Sequence, residues 1–492
     1  MEAKDPSTRR DFLKTAALGA GLLLGGEQIG VAQQRGRGGP PPLSGQGPGQ
    51  GRGAGPLPIL PSNPSIQHQP SRCRRCGRCR TFCQRETDVF GRYVSSGEEA
   101  CIHCGQCTLY CRSITEKFHY PTVATAITDP GRIVVASTSP AIRVALGEIY
   151  QLAPGTNVEG KIVSALKQLG VDHVLDTTFA ADLTIMEEAS ELLQRLETND
   201  PRRLPMFTSC CPGWVRFVKL FQQILLSNLS TAKSPVMMQG AMVKTYFAQK
   251  MGIDPAKIVH VALTPCTAKK AEILQPGMNA AGRSHNQPAM RDVDIALTSR
   301  EIAHLLSGGK VNFLQAQDAP YSSLMGAGSG AGMIFGNTGG VMEAALRTAY
   351  KLLNGNNPPT TFLELRPVRG WDSVRQATVD LGKRKLNVAV VHGIGKVPPL
   401  IDAIRSGNAR FDFVEVMACP GGCIGGGGQP YPAANVDATR LRQQRLSALY
   451  RRDTDQAIRV SSDNPQIKAI YTDFLGEPLG KKAEELLHIA GR

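Results

Sequence analysis

Cysteine stands at positions 73, 76, 79 and 83, and again at 101, 104, 107 and 111, repeating one spacing, C-x2-C-x2-C-x3-C. Three close-set thiolates wrap a 4Fe-4S cube, and in two-cluster ferredoxins the fourth cysteine of each run reaches the other cube. The spacing therefore predicts two 4Fe-4S clusters. Cys73, Cys76, Cys79 and Cys111 would hold the first, and Cys83, Cys101, Cys104 and Cys107 the second. Gln84 and Arg112 stand where the proline after the fourth cysteine is usual. Structural zinc favours paired cysteines separated by a longer finger, so iron is the expected metal. Residues 68–130 are too few and too polar to fold on an apolar core of their own, which predicts a small α+β ferredoxin-like domain with the clusters as its core.

The segment before this domain, residues 33–67, is rich in Gly, Pro and Gln and has little to bury. It is expected to be a disordered linker. Further upstream, "STRRDFLKTAALGAGLLLGG" places Arg9 and Arg10 before an uncharged run from Thr15 to Gly26. The run is too short to span a bilayer, and the arrangement resembles a twin-arginine export signal covering residues 1–32. That resemblance implies the twin-arginine translocase as a partner and a periplasmic location. The formal charge is +15, yet aromatics are 5% and no nucleic-acid motif occurs, so nucleic acid is not an expected partner.

From residue 131 onward short β-branched runs alternate with amphipathic stretches, which predicts an α/β domain with largely parallel sheets. Three runs, "LPMFTSCC", "VHVALTPC" and "FDFVEVMAC", each deliver a cysteine just past a strand. Open α/β sheets build their sites at the carboxyl ends of strands. Cys210, Cys211, Cys266 and Cys419 should therefore converge, with Cys423 within reach. Of the 13 cysteines, eight serve the two clusters, four of the remaining five would make one more cube, and one is surplus. Neighbouring side chains on an extended segment point to opposite sides, so one of Cys210 and Cys211 has a role other than ligation.

The segments "TSCCPGW", "TPCTAKKAE" and "EVMACPGGCIGGGGQP", in that order, resemble the three signatures of the iron-only (FeFe) hydrogenase family. The similarity runs from the ferredoxin-like module to the C-terminus, with residues 131–492 as the catalytic domain and a small-subunit-like helical segment at its end. It implies reversible oxidation of H2 to protons and electrons at an H-cluster. That group is a 4Fe-4S cube joined through a cysteine sulfur to a diiron unit carrying CO, cyanide and an azadithiolate. Carried over by position, Cys211, Cys266, Cys419 and Cys423 hold the cube, and Cys423 bridges to the diiron unit. Cys210 faces the azadithiolate as proton donor and acceptor, Lys269 bonds a cyanide, and Met417 packs on the irons. Glu188, Glu191, Ser230 and Arg195 match the proton relay.

The resemblance also implies hydrogenase maturation proteins and a redox partner such as a periplasmic cytochrome or ferredoxin. Thr264 departs from the family, which writes methionine there. A non-catalytic or sensory hydrogenase-like iron-sulfur protein is the alternative expectation. Arg72, Arg74, Arg75, Arg78 and Arg80 crowd the first cluster's ligands with no acid between them. They would either offset the cluster's negative charge or steer an acidic electron carrier.

Overall fold

The computed structural model describes residues 56–87, 100–198, 200, 202–433 and 436–489. The twin-arginine segment and most of the predicted linker lie outside the described residues. In chain order, the strands are β1 (Ile66–His68), β2 (Ile114–Glu116), β3 (Ile133–Thr138), β4 (His173–Asp176), β5 (Met206–Phe207), β6 (Ile258–Leu263), β7 (Ile295–Leu297), β8 (Val374–Asp380), β9 (Lys385–His392) and β10 (Phe413–Met417). The helices used below are α1 (Arg78–Thr87), α2 (Tyr120–Thr128), α3 (Thr177–Thr198), α4 (Pro212–Phe221), α5 (Gly340–Asn354), α6 (Ala438–Thr454) and α7 (Lys481–Leu487).

Two four-stranded sheets organise the chain beyond residue 131. The first has the order β4-β3-β6-β7 and is parallel throughout. The second has the order β5-β10-β9-β8, parallel except for the β8–β9 hairpin at one edge. Strands buried on both faces read as unbroken apolar runs, and "IVVAS" in β3 behaves so. Val134 and Ala136 join one core while Val135 joins the core on the opposite face. In the second sheet Ala389 and Val391 face one core, and Val388 and Val390 the other.

Two predicted boundaries are corrected. The linker was expected to extend to residue 67, but Leu57, Asn63, Ser65 and Ile66 are buried, and β1 pairs antiparallel with β2. Leu57 and Ile66 supply apolar cover for Cys79 and Cys107, which the module cannot provide from its cysteine runs alone. At the other end, α2 places Val123 and Ile127 in the same core as Val134 of β3. That helix belongs with the first sheet, although the sequence grouped it with the ferredoxin-like module.

The C-terminal segment is helical, as expected, and docks through buried ion pairs. Arg445 of α6 meets Glu148 at 2.5 Å, and Asp453 of α6 meets Arg347 of α5 at 2.8 Å. No helix among the described residues is long and apolar enough to cross a membrane.

Candidate metal centre and proton path

The site lies where the carboxyl ends of the two sheets meet. β5 runs into Cys210 and Cys211, β6 into Thr264 and Cys266, and β10 into Cys419. Cys211 caps α4, whose first residue is Pro212, so the chain turns sharply just after the paired thiols. Beyond Cys419 the backbone passes through Gly421 and Gly422, at φ 79° and 88°. A Cβ on Gly422 would stand 2.8 Å from the Thr338 nitrogen, and one on Gly421 would stand 2.9 Å from the Trp371 ring. Both positions require glycine in conformation and in space.

Cys211, Cys266, Cys419 and Cys423 face one another. Burial, then the neighbouring Cys266, Cys211 and Cys423 thiols, pushes the Cys419 thiol well above its ordinary range. Burial followed by Cys211 raises Cys266 to about 12. Such a set resists becoming four free thiolates and suits a cationic iron core that neutralises them. Among the described residues no three His, Cys, Asp or Glu side chains close on a single ion. Ala418 N–H adds a donor to Cys211 Sγ at 3.4 Å.

Cys210 is the thiol outside this set. It is 7% exposed and shares an apolar pocket with Ala181, Ile185, Phe335, Val341 and Met417. Burial raises its thiol most, followed by the Glu188 carboxyl. Lys269 donates to Cys210 O at 3.3 Å and to Glu272 Oε2 at 2.5 Å. Burial pushes this ammonium down, but Glu272 and Cys266 outweigh it, and the net shift is upward. An ammonium has three donors, so one beyond these two contacts can serve a ligand. Thr264 is buried, and its N–H is held by Leu297 O at 2.9 Å.

From Cys210 a line of polar groups leads outward along α3. Glu188 is raised to about 8, chiefly by burial and then by Glu191 and Glu415, and its Oε2 has no hydrogen-bond partner. Ser230 lies against Glu188 and donates to Glu191 Oε2 at 2.8 Å. Arg195 Nη2 donates to Glu191 Oε1 at 2.6 Å. Arg195 is only 1% exposed, so it does not itself reach the surface. Its other donors hold the carbonyls of Arg203, Ser227, Asn228 and Leu229. Arg203, 39% exposed and 3.6 Å from Glu191, stands at the solvent end.

The module's thiols fall into sequence toward this site. Cys104 is raised by burial and then by Cys419, and it also senses Cys107 and Cys83. Cys107 senses Cys101, Cys83 and Cys111. Cys79 is raised and Cys111 lowered, each chiefly by the other thiol. Cys73 is half-buried and Cys76 is exposed. The seam is tight: Gln106 Nε2 donates to Gly425 O at 2.7 Å, and Thr267 Oγ1 to His103 O at 2.8 Å. Arg300 joins Glu116, Gln429 and Gly427 across it.

Several residues of the site were not singled out in the sequence. His392 receives Gly421 N–H on Nδ1 at 3.0 Å, which leaves Nε2–H to donate to Trp371 O. Burial lowers it to about 4, so it stays neutral while holding the Cys419–Cys423 loop. Glu415 of β10 accepts from Gly339 and Met342 N–H at the start of α5 and is raised to about 7 by burial. A lone histidine or glutamate in a strand carries no motif. Glu272 was the exception, being three residues after Lys269 on a helical turn.

Residues 132–427 match the family described as iron only hydrogenase large subunit, C-terminal domain, and residues 439–490 match iron hydrogenase small subunit. The chain belongs to the iron-only hydrogenase family. It is 45% identical over 372 residues to the NADP-reducing hydrogenase subunit HndD of Solidesulfovibrio fructosivorans, covering 74% of this chain and 61% of that protein. It is 33% identical over 370 residues to the cytosolic Fe-S cluster assembly factor narfl of Danio rerio, covering 73% of this chain and 85% of that protein. The apo [FeFe]-hydrogenase HydA1 from Chlamydomonas reinhardtii superposes with a TM-score of 0.66 at 39% identity, covering 76% of this chain and 98% of that one. The family implies iron-sulfur clusters and an H-cluster, and the four facing thiols at the strand ends fit such a group.

Proposed function

We propose that this protein is a hydrogenase that interconverts H2 with protons and electrons. The observation that carries the reading is Cys210, a buried surplus thiol set between the four-thiol cluster site and the unbonded oxygen of Glu188. The H-cluster, when bound, supplies an open iron position and an amine base for splitting the H–H bond. Cys211, Cys266, Cys419 and Cys423 would hold it, with Lys269 and Met417 lining the diiron side. Cys210 exchanges protons with Glu188, Ser230 passes them to Glu191, and Arg195 fixes Glu191 beside Arg203. A carboxyl group raised to about 8 is protonated at neutral pH, so Glu188 rests uncharged in the dry site and can give its proton to one neighbour as it takes one from the other.

Electrons would leave the Cys419 side through Cys104 to the second 4Fe-4S cluster, and then through Cys79 and Cys111 to the first. The exposed Cys76 edge would deliver them to a periplasmic cytochrome or a ferredoxin. Arg9 and Arg10 support periplasmic export by the twin-arginine translocase, after maturation proteins have inserted the cofactor. A second reading, a non-catalytic iron-sulfur protein, is favoured by the similarity to the assembly factor of Danio rerio. Infrared spectroscopy of anaerobically matured protein separates the two. Sharp CO and cyanide bands together with H2 turnover are expected, and their absence after competent maturation would overturn the hydrogenase reading.

A further inference from the structure

The last residues of the C-terminal segment reach back to the proton path. His488, at the end of α7, is 6% exposed and lies between two elements that carry the relay. Its Nε2 is 3.0 Å from Glu187 Oε2 on α3, and its Nδ1 is 2.8 Å from Thr231 Oγ1. Glu187 also accepts from the Tyr471 hydroxyl and from Leu479 N–H at 2.8 Å. With three donors converging on it, Glu187 is a satisfied acceptor, unlike its neighbour Glu188. Nε2–H therefore donates to Glu187, and Nδ1 is left to accept the Thr231 hydroxyl.

The same segment is stitched along its backbone. Lys233 N–H donates to Leu487 O at 2.8 Å, Ile489 N–H to Thr231 O at 2.9 Å, and Ala232 bridges His488. Lys233 Nζ adds a bond to Leu486 O at 2.9 Å. Residues 231–233 immediately follow Ser230, and Thr231 N–H itself donates to Glu191 Oε2 at 2.9 Å. The imidazole thus joins the loop that carries Ser230 to the helix that carries Glu188 and Glu191.

We propose that His488 is a positioning residue of the proton relay, through which the C-terminal segment holds Ser230 between Glu188 and Glu191. The inference rests on the hydrogenase reading above. No electron moves in this step: Ser230 gives its hydroxyl proton to Glu191 as it takes one from Glu188. Such a hop requires both oxygens within hydrogen-bond reach of one hydroxyl. A loop shifted by about an ångström breaks one side of it, and misplacement on that scale can cost about a hundredfold in rate.

The test uses the full matured chain with His488→Ala, Thr231→Val and Thr231→Ser. His488→Ala and Thr231→Val each remove the stitch while sparing every cluster ligand and every relay group. Both are expected to lower H2 turnover about tenfold or more, to enlarge the solvent deuterium isotope effect, and to leave KM for H2 and the infrared CO and cyanide bands as in the parent. Thr231→Ser keeps the hydroxyl and should recover turnover and the parental isotope effect. If both disruptive variants keep the parental turnover and isotope effect, the inference is wrong. It is equally overturned if their turnover falls only in proportion to lost infrared bands, which would make the segment a device for retaining cofactor. A parent that shows neither bands nor turnover overturns the hydrogenase reading itself, a result distinct from either of these.

Discussion

Glu188 is a carboxyl group buried with one oxygen unbonded, and its raised value has a sign that can be measured. A folded-state value of about 8 exceeds the usual glutamate value of about 4.3, so between these two the folded chain holds a proton that the unfolded chain has lost. Stability therefore falls as pH rises through that window and levels off above it. In cluster-free protein, Glu188→Gln should cancel this slope. Its Tm should exceed the parent's at pH 8 by more than at pH 5, and parallel curves would show that Glu188 is not held protonated. Cys210→Ser should keep the infrared bands and nearly abolish turnover, because an alcohol is a far weaker acid than a thiol, whereas Cys211→Ser should remove iron. Thr264→Met should alter the ratio of H2 oxidation to production at unchanged iron content. The thiols were legible in the sequence because each stands either in a repeated spacing or at or near the end of a strand-like run. His392 was not, because its part is played by ring nitrogens on the Gly421 amide and the Trp371 carbonyl, groups that any residue supplies.

At the scale of elements, α3 shows why periodicity misleads. By spacing alone, without the family resemblance that assigns them to the relay, Glu191 and Arg195 are an ordinary i,i+4 surface pair worth a few tenths of a kcal/mol. In the fold this pair is buried at the junction of α3 with the Ser227–Ser230 loop, and Arg195 also closes three successive backbone carbonyls there. The burial comes from tertiary contacts that no local pattern encodes. The opposite holds for the loop after β10, where the glycines themselves announce the turn. Gly422→Ala forces a methyl toward the Thr338 nitrogen at a backbone angle that alanine disfavours. A loss of about 1–3 kcal/mol is expected from the strained backbone, together with less iron bound per chain. Chemical denaturation and iron assay check both, and parental values would mean that the loop relaxes.

For the whole molecule, the largely parallel sheets and the cysteine crevice at their carboxyl ends were legible because strand, turn and thiol recur three times. The division between module and catalytic domain was less so, since α2 and the β1 segment pack according to apolar residues outside any motif. Arg72, Arg74, Arg75 and Arg78 are exposed around the exposed Cys76, and no ion pair engages them among the described residues. If they guide an acidic carrier, transfer to it should slow as salt rises, since such steering is screened within about 8 Å at physiological ionic strength. The double variant Arg74→Gln with Arg78→Gln should show a shallower salt dependence, and a small neutral dye almost none. Equal salt dependence in variant and parent would assign the arginines to the cluster's potential alone.

At the seam between the module and the catalytic domain, a Cβ on Gly105 would lie 2.3 Å from Thr267 Oγ1, and one on Gly427 would lie 2.2 Å from Cys104 O. Glycine meets the Thr267 side chain at one contact and the Cys104 backbone at the other, so the two parts form a plug and socket rather than beads on a string. Substitution is freest at the outer edge, where Arg74, Arg75 and Cys76 are exposed. The inner turn from His103 to Thr108 must travel with the catalytic domain, because a graft that replaces it would leave the socket unfilled.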